Sequence, residues 1–208
     1  MNTKKMLGLA LSGAMALSMT VPALAADTTI SDLSDSAELE ITGTTQVPKI
    51  EVVVPATGEV ILNPYGMTVA NPPTGATATD QILSAVQAIE NKSEIAIKVS
   101  GTITGVAEGV TLTTSTPDNT KKEVKLTFKI AKSADATTAP TGTGVDLTTS
   151  AQDIAAAAVE LDKTGGSNPF ATFQLSGSAS KNPESVWTAD DVIGATVAFT
   201  FEPNAPTT

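Results

Sequence analysis

A chain of 208 residues with 22 acidic residues, 12 lysines, a net charge of −10, no histidine and no cysteine excludes several chemistries at the outset. Cysteine nucleophiles, Ser-His-Asp triads and His-ligated zinc or copper lack their residue types, and no disulfide can staple the fold. The acidity makes nucleic acid and anionic lipid headgroups poor partners.

The first 25 residues read as a cleaved secretory signal. Lys4 and Lys5 give a positive start, Met6 to Val21 an apolar run of small residues, and Ala23-Leu24-Ala25 the small side chains that a signal peptidase needs. The run is short for a stable membrane span of about 20 residues, so the mature chain is expected to begin near Ala26 and to span no membrane. Loss of Lys4 and Lys5 leaves ten lysines against the same 22 acids, a mature charge of −12. The alanine-rich signal and the lack of cysteine fit export from a Gram-positive bacterium. About 180 mature residues are enough to bury a core without disulfides.

Residues 26–37 are acidic and rich in Ser and Thr, the composition of a flexible N-terminal arm. Residues 38–208 then form one predicted domain whose pattern has a period of two. Leu39 and Ile41 open it. Ile50, Val52 and Val54 share a face, Pro55-Ala56-Thr57-Gly58 has turn chemistry, and Glu59 to Leu62 returns. This predicts a core β-hairpin, stopped by Asn63-Pro64-Tyr65-Gly66, whose exposed tip carries the recognition potential of the stretch.

Residues 79–93 support two readings. Ile82, Val86 and Ile89 lie at helical spacing behind Thr79 or Asp80 as N-cap. As a strand, the segment turns at Asn91-Lys92 into Ile95, Ile97 and Val99, and the early start of that next strand favours this reading. Val124, Leu126, Phe128 and Ile130 alternate with Glu123, Lys125, Thr127 and Lys129, which predicts a half-buried strand. Residues 133–151 are low in complexity and predict a long surface loop. Ile154, Ala157, Ala158 and Leu161 form a helical stripe closed by Gly165-Gly166, so a short helix is expected there. Ala171, Phe173 and Leu175, then Val197, Phe199 and Phe201, restore the period of two.

Short strands at this spacing, with no βαβ alternation, predict an all-β fold: a single antiparallel β-sandwich, Ig-like or jelly-roll-like, with one or two short helices. No catalytic constellation accompanies it. Ser178 to Lys181 matches S-x-x-K and Lys163-Thr164-Gly165 matches K-T-G, but their order is reversed and Ser178 opens no helix, so these are chance matches. Asp190 and Asp191, or Glu38 and Glu40, are the candidate glycosidase pairs, but adjacent residues of a strand face opposite ways, so Asp190 and Asp191 share a site only in a turn. Asp190-Asp191 fits a turn capped by Thr188 or Asp190 beneath Trp187. Asp32, Asp35 and Glu38 do not form a calcium loop. No metal, cofactor or catalytic residue is therefore expected. Tyr65 and Trp187, aromatics with polar edges, are the candidate recognition residues for a glycan or other ligand. The final FTFEPNAPTT has no sorting motif or apolar tail, so release or non-covalent retention at the cell surface is expected.

The signal, the Thr-rich cysteine-free pattern, AIENKSEIAIKV as strand–turn–strand and the closing VWTADDVIGATVAFTF together resemble secreted surface and matrix proteins of Gram-positive bacteria. The nearest groups are the TasA/camelysin-type fibre subunits and the WxL-type surface proteins. The resemblance is one of architecture over most of the mature chain. Trp187-Thr188-Ala189 departs from the Trp-x-Leu of the second group, so wall binding of that kind is not carried over. Neither is a camelysin-like protease activity, since a metalloprotease motif is missing. The resemblance implies a subunit that joins copies of itself, or other surface proteins, outside the cell. Addition of an extended arm to a neighbour's sheet is a physical route, and Asp27 to Ile41, with Ile30, Leu33, Leu39 and Ile41 as anchors, suits it. Leu39 and Ile41 can equally form the first strand of their own domain.

Overall fold

Alternating side chains that bury one face each produce the four long strands of the protein, and shorter strands complete the sheets around them. The computed structural model describes residues 49–181 and 187–204, all within one unit, Gln46–Thr208. The signal segment and the arm, with Ile30, Leu33, Leu39 and Ile41, lie outside the described residues. The fold of the described residues is all-β, with no helix among them.

The strands are β1 (Val52–Val53), β2 (Val60–Leu62), β3 (Ile82–Ser84), β4 (Gln87–Asn91), β5 (Ile97–Glu108) and β6 (Thr111–Leu112). There follow β7 (Glu123–Ser133), β8 (Val145–Asp146), β9 (Gln152–Asp153), β10 (Val159–Leu161), β11 (Phe170–Ala179) and β12 (Val192–Pro203). One sheet runs β1-β4-β11-β7-β6, with β8 also on β7; a second runs β10-β5-β12, with β9 also on β5; β2 and β3 form a separate pair. Every pairing is antiparallel except β6 with β7.

Both large sheets feed one core. Ile89, Val124, Leu126 and Phe128 from the first sheet and Ile97, Val99, Ile103 and Ile193 from the second belong to the same buried cluster. Each such side chain contributes about 1.5–3 kcal/mol on burial. Aromatic contacts bridge the sheets, with ring centroids 5.7 Å apart for Phe128 and Phe173 and 5.4 Å for Phe173 and Phe199. Mid-strand glycines permit close approach of neighbouring chains. Gly101 in β5 and Gly177 in β11 have φ of 152° and 151°, and a Cβ on either would overlap a carbonyl oxygen of the adjacent strand, Ala198 or Lys125. Only glycine fits there.

The alternating segments at 97–108, 123–133, 170–179 and 192–203 fold as their pattern predicts, and residues 82–91 are strands, not helix. Three expectations are corrected. Ile50 to Leu62 is not a hairpin: Val52 and Val53 pair with Asn91 and Glu90 of β4, and Val60 to Leu62 pair with β3. The Pro55–Gly58 segment therefore carries the chain from one sheet to another pair, and Val54 is 39 % exposed. The helix expected around residues 152–165 is replaced by β9, a bend and β10. Val159 to Leu161 pair with β5, whose edge offers more hydrogen bonds than an isolated short helix could keep, and Ala157 and Ala158 are exposed. The chain does turn after Asn91 into the next strand, as expected, and there crosses from one sheet to the other, since β4 and β5 belong to different sheets. The buried Asn91 side chain pins this crossover by donating to the carbonyls of Ile95 and Asp162 at 2.9 and 2.8 Å. The expected loop at 133–151 contains the short β8 and the fully buried Leu147.

Candidate functional site

Strand β12 lies at the end of its sheet, and among the described residues it pairs with β5 alone. The register runs without interruption from Val192 opposite Glu108 to Pro203 opposite Ile97. One step further, the N–H of Asn204 donates to the Ala96 carbonyl at 2.9 Å. In an antiparallel ladder, bonded and non-bonded pairs alternate. The even-numbered residues of β12 therefore spend their N–H and C=O groups on β5, and the odd-numbered ones, Ile193 to Phe201, turn theirs to the open edge. The β5 strand obeys the same parity, since Gly101 accepts from Ile154 and Gly105 donates to Thr148 on its other side.

Those odd residues also face inward, because side chains alternate across a strand. Ala195, Val197, Phe199 and Phe201 are only half-buried, although they pack on the core. Beside them is a cavity of about 520 Å³ lined by Ile193–Val197 and Phe199, by Phe128, Phe173 and Leu175 of the first sheet, and by the Val54–Val60 segment. The outward face of β12 is Val192, Gly194, Thr196, Ala198, Thr200 and Glu202, so Glu202 is its one charge. Edge strands are ordinarily blunted by lysine, proline, bulges or brevity. This one is 12 residues long, with its proline at the last position.

Strand β11 has a comparable gap that is met at two positions. It pairs with β4 only from Phe170 to Phe173, which leaves Leu175 and Ala179 facing away from β7. The Ser84 hydroxyl donates to the Leu175 carbonyl at 2.9 Å and accepts from the Leu175 N–H at 3.0 Å. The Gln81 amide does the same for Ala179, at 2.9 and 3.2 Å. Side chains here replace a missing strand.

The start of β12 is held by an ion pair that sequence reading did not find. Lys122 donates to both carboxylate oxygens of Asp191 at 3.0 and 2.9 Å, with side-chain exposures of 16 % and 4 %. Burial pushes the Asp191 carboxyl up, but the Lys122 hydrogen bonds, the Thr188 N–H and the Lys122 charge together hold it below the ordinary carboxylate range. The turn into β12 is thus capped by Asp191, which accepts from the Thr188 N–H at 2.6 Å, and not by Thr188 or Asp190. A pair 69 positions apart leaves no local signal in a sequence; only a charge at an otherwise apolar strand start hints at it.

Trp187 is half-buried, donates its indole N–H to the Ser180 carbonyl at 3.2 Å and has Lys122 Nζ 5.9 Å from its ring centroid. It is a packed anchor with one polar edge already used. Tyr65 is 53 % exposed on a turn organised by Asn63, whose side chain bonds the N–H and carbonyl of Met67 at 3.0 and 2.7 Å. Gln81 donates to both the Pro64 and the Ala179 carbonyls, which brings both aromatics to the same end of β11, but neither lines the cavity. Ser178 lies in β11 opposite Lys125, and Lys163-Thr164-Gly165 lies in a turn closed by the Gly166 N–H on the Lys163 carbonyl. Among the described residues no three acidic side chains converge as a metal site. Comparison of the chain with protein-family models, with curated proteins and with solved structures gives no match in any of the three.

Proposed function

We propose that the protein is a secreted, non-enzymatic structural component of a bacterial cell surface or extracellular matrix. In this reading it is a single β-sandwich of Ig-like or jelly-roll-like type and a filament subunit, joined to copies of itself by β-strand addition. The observation that carries the reading is the edge of β12: a long, nearly uncharged run of backbone groups that pair with none of the described residues, beside an apolar cavity. Strand addition supplies both of its needs, hydrogen bonds from the incoming main chain and apolar side chains at alternate positions. The arm from Asp27 to Ile41 is the candidate donor. Export follows from the signal segment, and the mature charge of −12 keeps unassembled subunits soluble.

The test compares residues 26–208 with a chain that starts at Gly43, by light scattering and negative-stain electron microscopy. Filaments from the first and monomers from the second are expected. Monomers from both would overturn the reading in favour of a glycan- or ligand-binding module that uses Tyr65, for which a glycan-dependent shift in melting temperature is the next readout.

A further inference from the structure

We infer that the strand added to β12 is Ala37 to Gly43 of a second copy, antiparallel, with Leu39 opposite Val197 and Ile41 opposite Ala195. This inference rests on the reading of β12 as an assembly edge and fixes its partner residue by residue.

The open groups of β12 belong to odd-numbered residues whose side chains point at the cavity. Residues directly opposite one another in a ladder face the same side of the sheet, so the incoming strand must present apolar side chains at every second position. Ile30 and Leu33 are three apart and fall on opposite faces of a strand, so they cannot both serve. Ala37, Leu39 and Ile41 are two apart and share one face, while Glu38 and Glu40 take the other.

Size and charge then choose the register. With Leu39 opposite Val197, the inward pairs are Ala37 with Phe199, Ile41 with Ala195 and Gly43 with Ile193, so in three of the four pairs a small residue faces a large one and the inner layer interdigitates. The outward pairs are Glu38 with Ala198, Glu40 with Thr196 and Thr42 with Gly194. Both glutamates lie over the uncharged part of β12, away from Glu202, where a like charge directly opposite would destabilise the pair. An antiparallel strand matches the other pairings of this sheet.

The chain has no cysteine, so single-cysteine variants of residues 26–208 can be mixed and oxidised. Outward residues of the new pair would be non-hydrogen-bonded neighbours with Cα atoms about 4.5 Å apart, within reach of a disulfide. Glu40→Cys mixed with Thr196→Cys, and Glu38→Cys mixed with Ala198→Cys, are expected to give covalent dimers. Glu40→Cys with Ala198→Cys is offset by one outward position, a further ~6.8 Å along the strand, and its yield should be at least ~10-fold lower. Ile30→Cys with Thr196→Cys should give none. Equal yields in all mixtures, or a maximum at another pair, would overturn the register. A double variant, Glu40→Cys with Thr196→Cys in one chain, that closes as a monomer would show the strand to be the chain's own. Loss of assembly in the single variants would also contradict the inference, which places these side chains toward solvent. Absence of assembly in the unmodified protein would instead refute the structural-subunit reading itself.

Discussion

Strands β11 and β12 meet the same difficulty and differ in how it is met. Each is a long strand with one side fully paired and the other side short of a partner. On β11 the gap is met within the subunit at two positions, because Ser84 and Gln81 return both hydrogen bonds of Leu175 and of Ala179. On β12 no described residue does this for Ile193 to Phe201. The outward faces do not distinguish the two strands: Thr172, Gln174, Ser176 and Ser178 of β11 carry no charge, and Glu202 is the one charge of β12. Among the described residues the gap on β11 is met by side chains and the long edge of β12 is not, and a long unguarded edge is the kind that strand addition uses.

The sharpest way to break this contrast is a pair of prolines. Val197→Pro removes an N–H that the subunit does not use and should end assembly while leaving the monomer folded. Thr196→Pro removes one that β5 needs, and should cost about 2–3 kcal/mol of monomer stability in urea denaturation. Equal destabilisation by both would show the edge parity to be wrong. Next in size is the anchor of β12. Lys122→Met strands the buried Asp191 carboxylate and should lower stability by about 3 kcal/mol.

The pH dependence follows from the same group. The depressed folded pKa of Asp191 means that its contribution is present above the unfolded carboxylate value of about 3.9 and is lost as pH falls through that value to the lower folded one. Asp146 acts in the same direction: burial raises its carboxyl, and Lys125 and Thr127 outweigh that. Urea midpoints of the parent protein should fall below about pH 4, and an Asp191→Asn variant should lose part of that slope.

Gln81→Ala and Ser84→Ala open the edge of β11 and should cost about 1–2 kcal/mol each. They should also raise non-specific association, seen as irregular aggregates by scattering. The smallest effect sharpens the description of β11 itself. The Thr172 hydroxyl is buried there without a partner among the described residues. Thr172→Val keeps the β-branch, and should stabilise the protein by about 1 kcal/mol in the same denaturation assay.

Much of this architecture is legible along the chain, because a strand buried on one face writes its period into every second residue. Val124, Leu126 and Phe128, fully buried to within 1 %, are the clearest case. What such a pattern lacks is a partner. Val52-Val53 and Val60 to Leu62 read as two arms of a hairpin since each is a plausible strand next to good turn residues, but the pairing is decided by which distant edge binds each more fully. The four alanines from Ala155 to Ala158 suit a helix locally, and the open side of β5 overrides them. The candidate site is of the same kind. Alternation in Val197, Phe199 and Phe201 is visible in sequence, but that this strand is terminal, while Gln81 and Ser84 meet the gap on β11, is a fact of topology. Tyr65 and Trp187 stand out by residue type alone, and Trp187 proves to be a packing anchor.

Strand addition at β12 requires its alternate backbone groups to be free in the subunit and engaged in the assembly. Amide hydrogen exchange, followed residue by residue in the Gly43-start monomer and in filaments of residues 26–208, reads this directly. The even amides from Gly194 to Glu202 should be protected in both states, while Ile193, Ala195, Val197, Phe199 and Phe201 exchange rapidly in the monomer and become protected in the filament. Protection of the odd amides already in the monomer, or their continued rapid exchange in filaments, would contradict the assignment of β12 as the assembly edge.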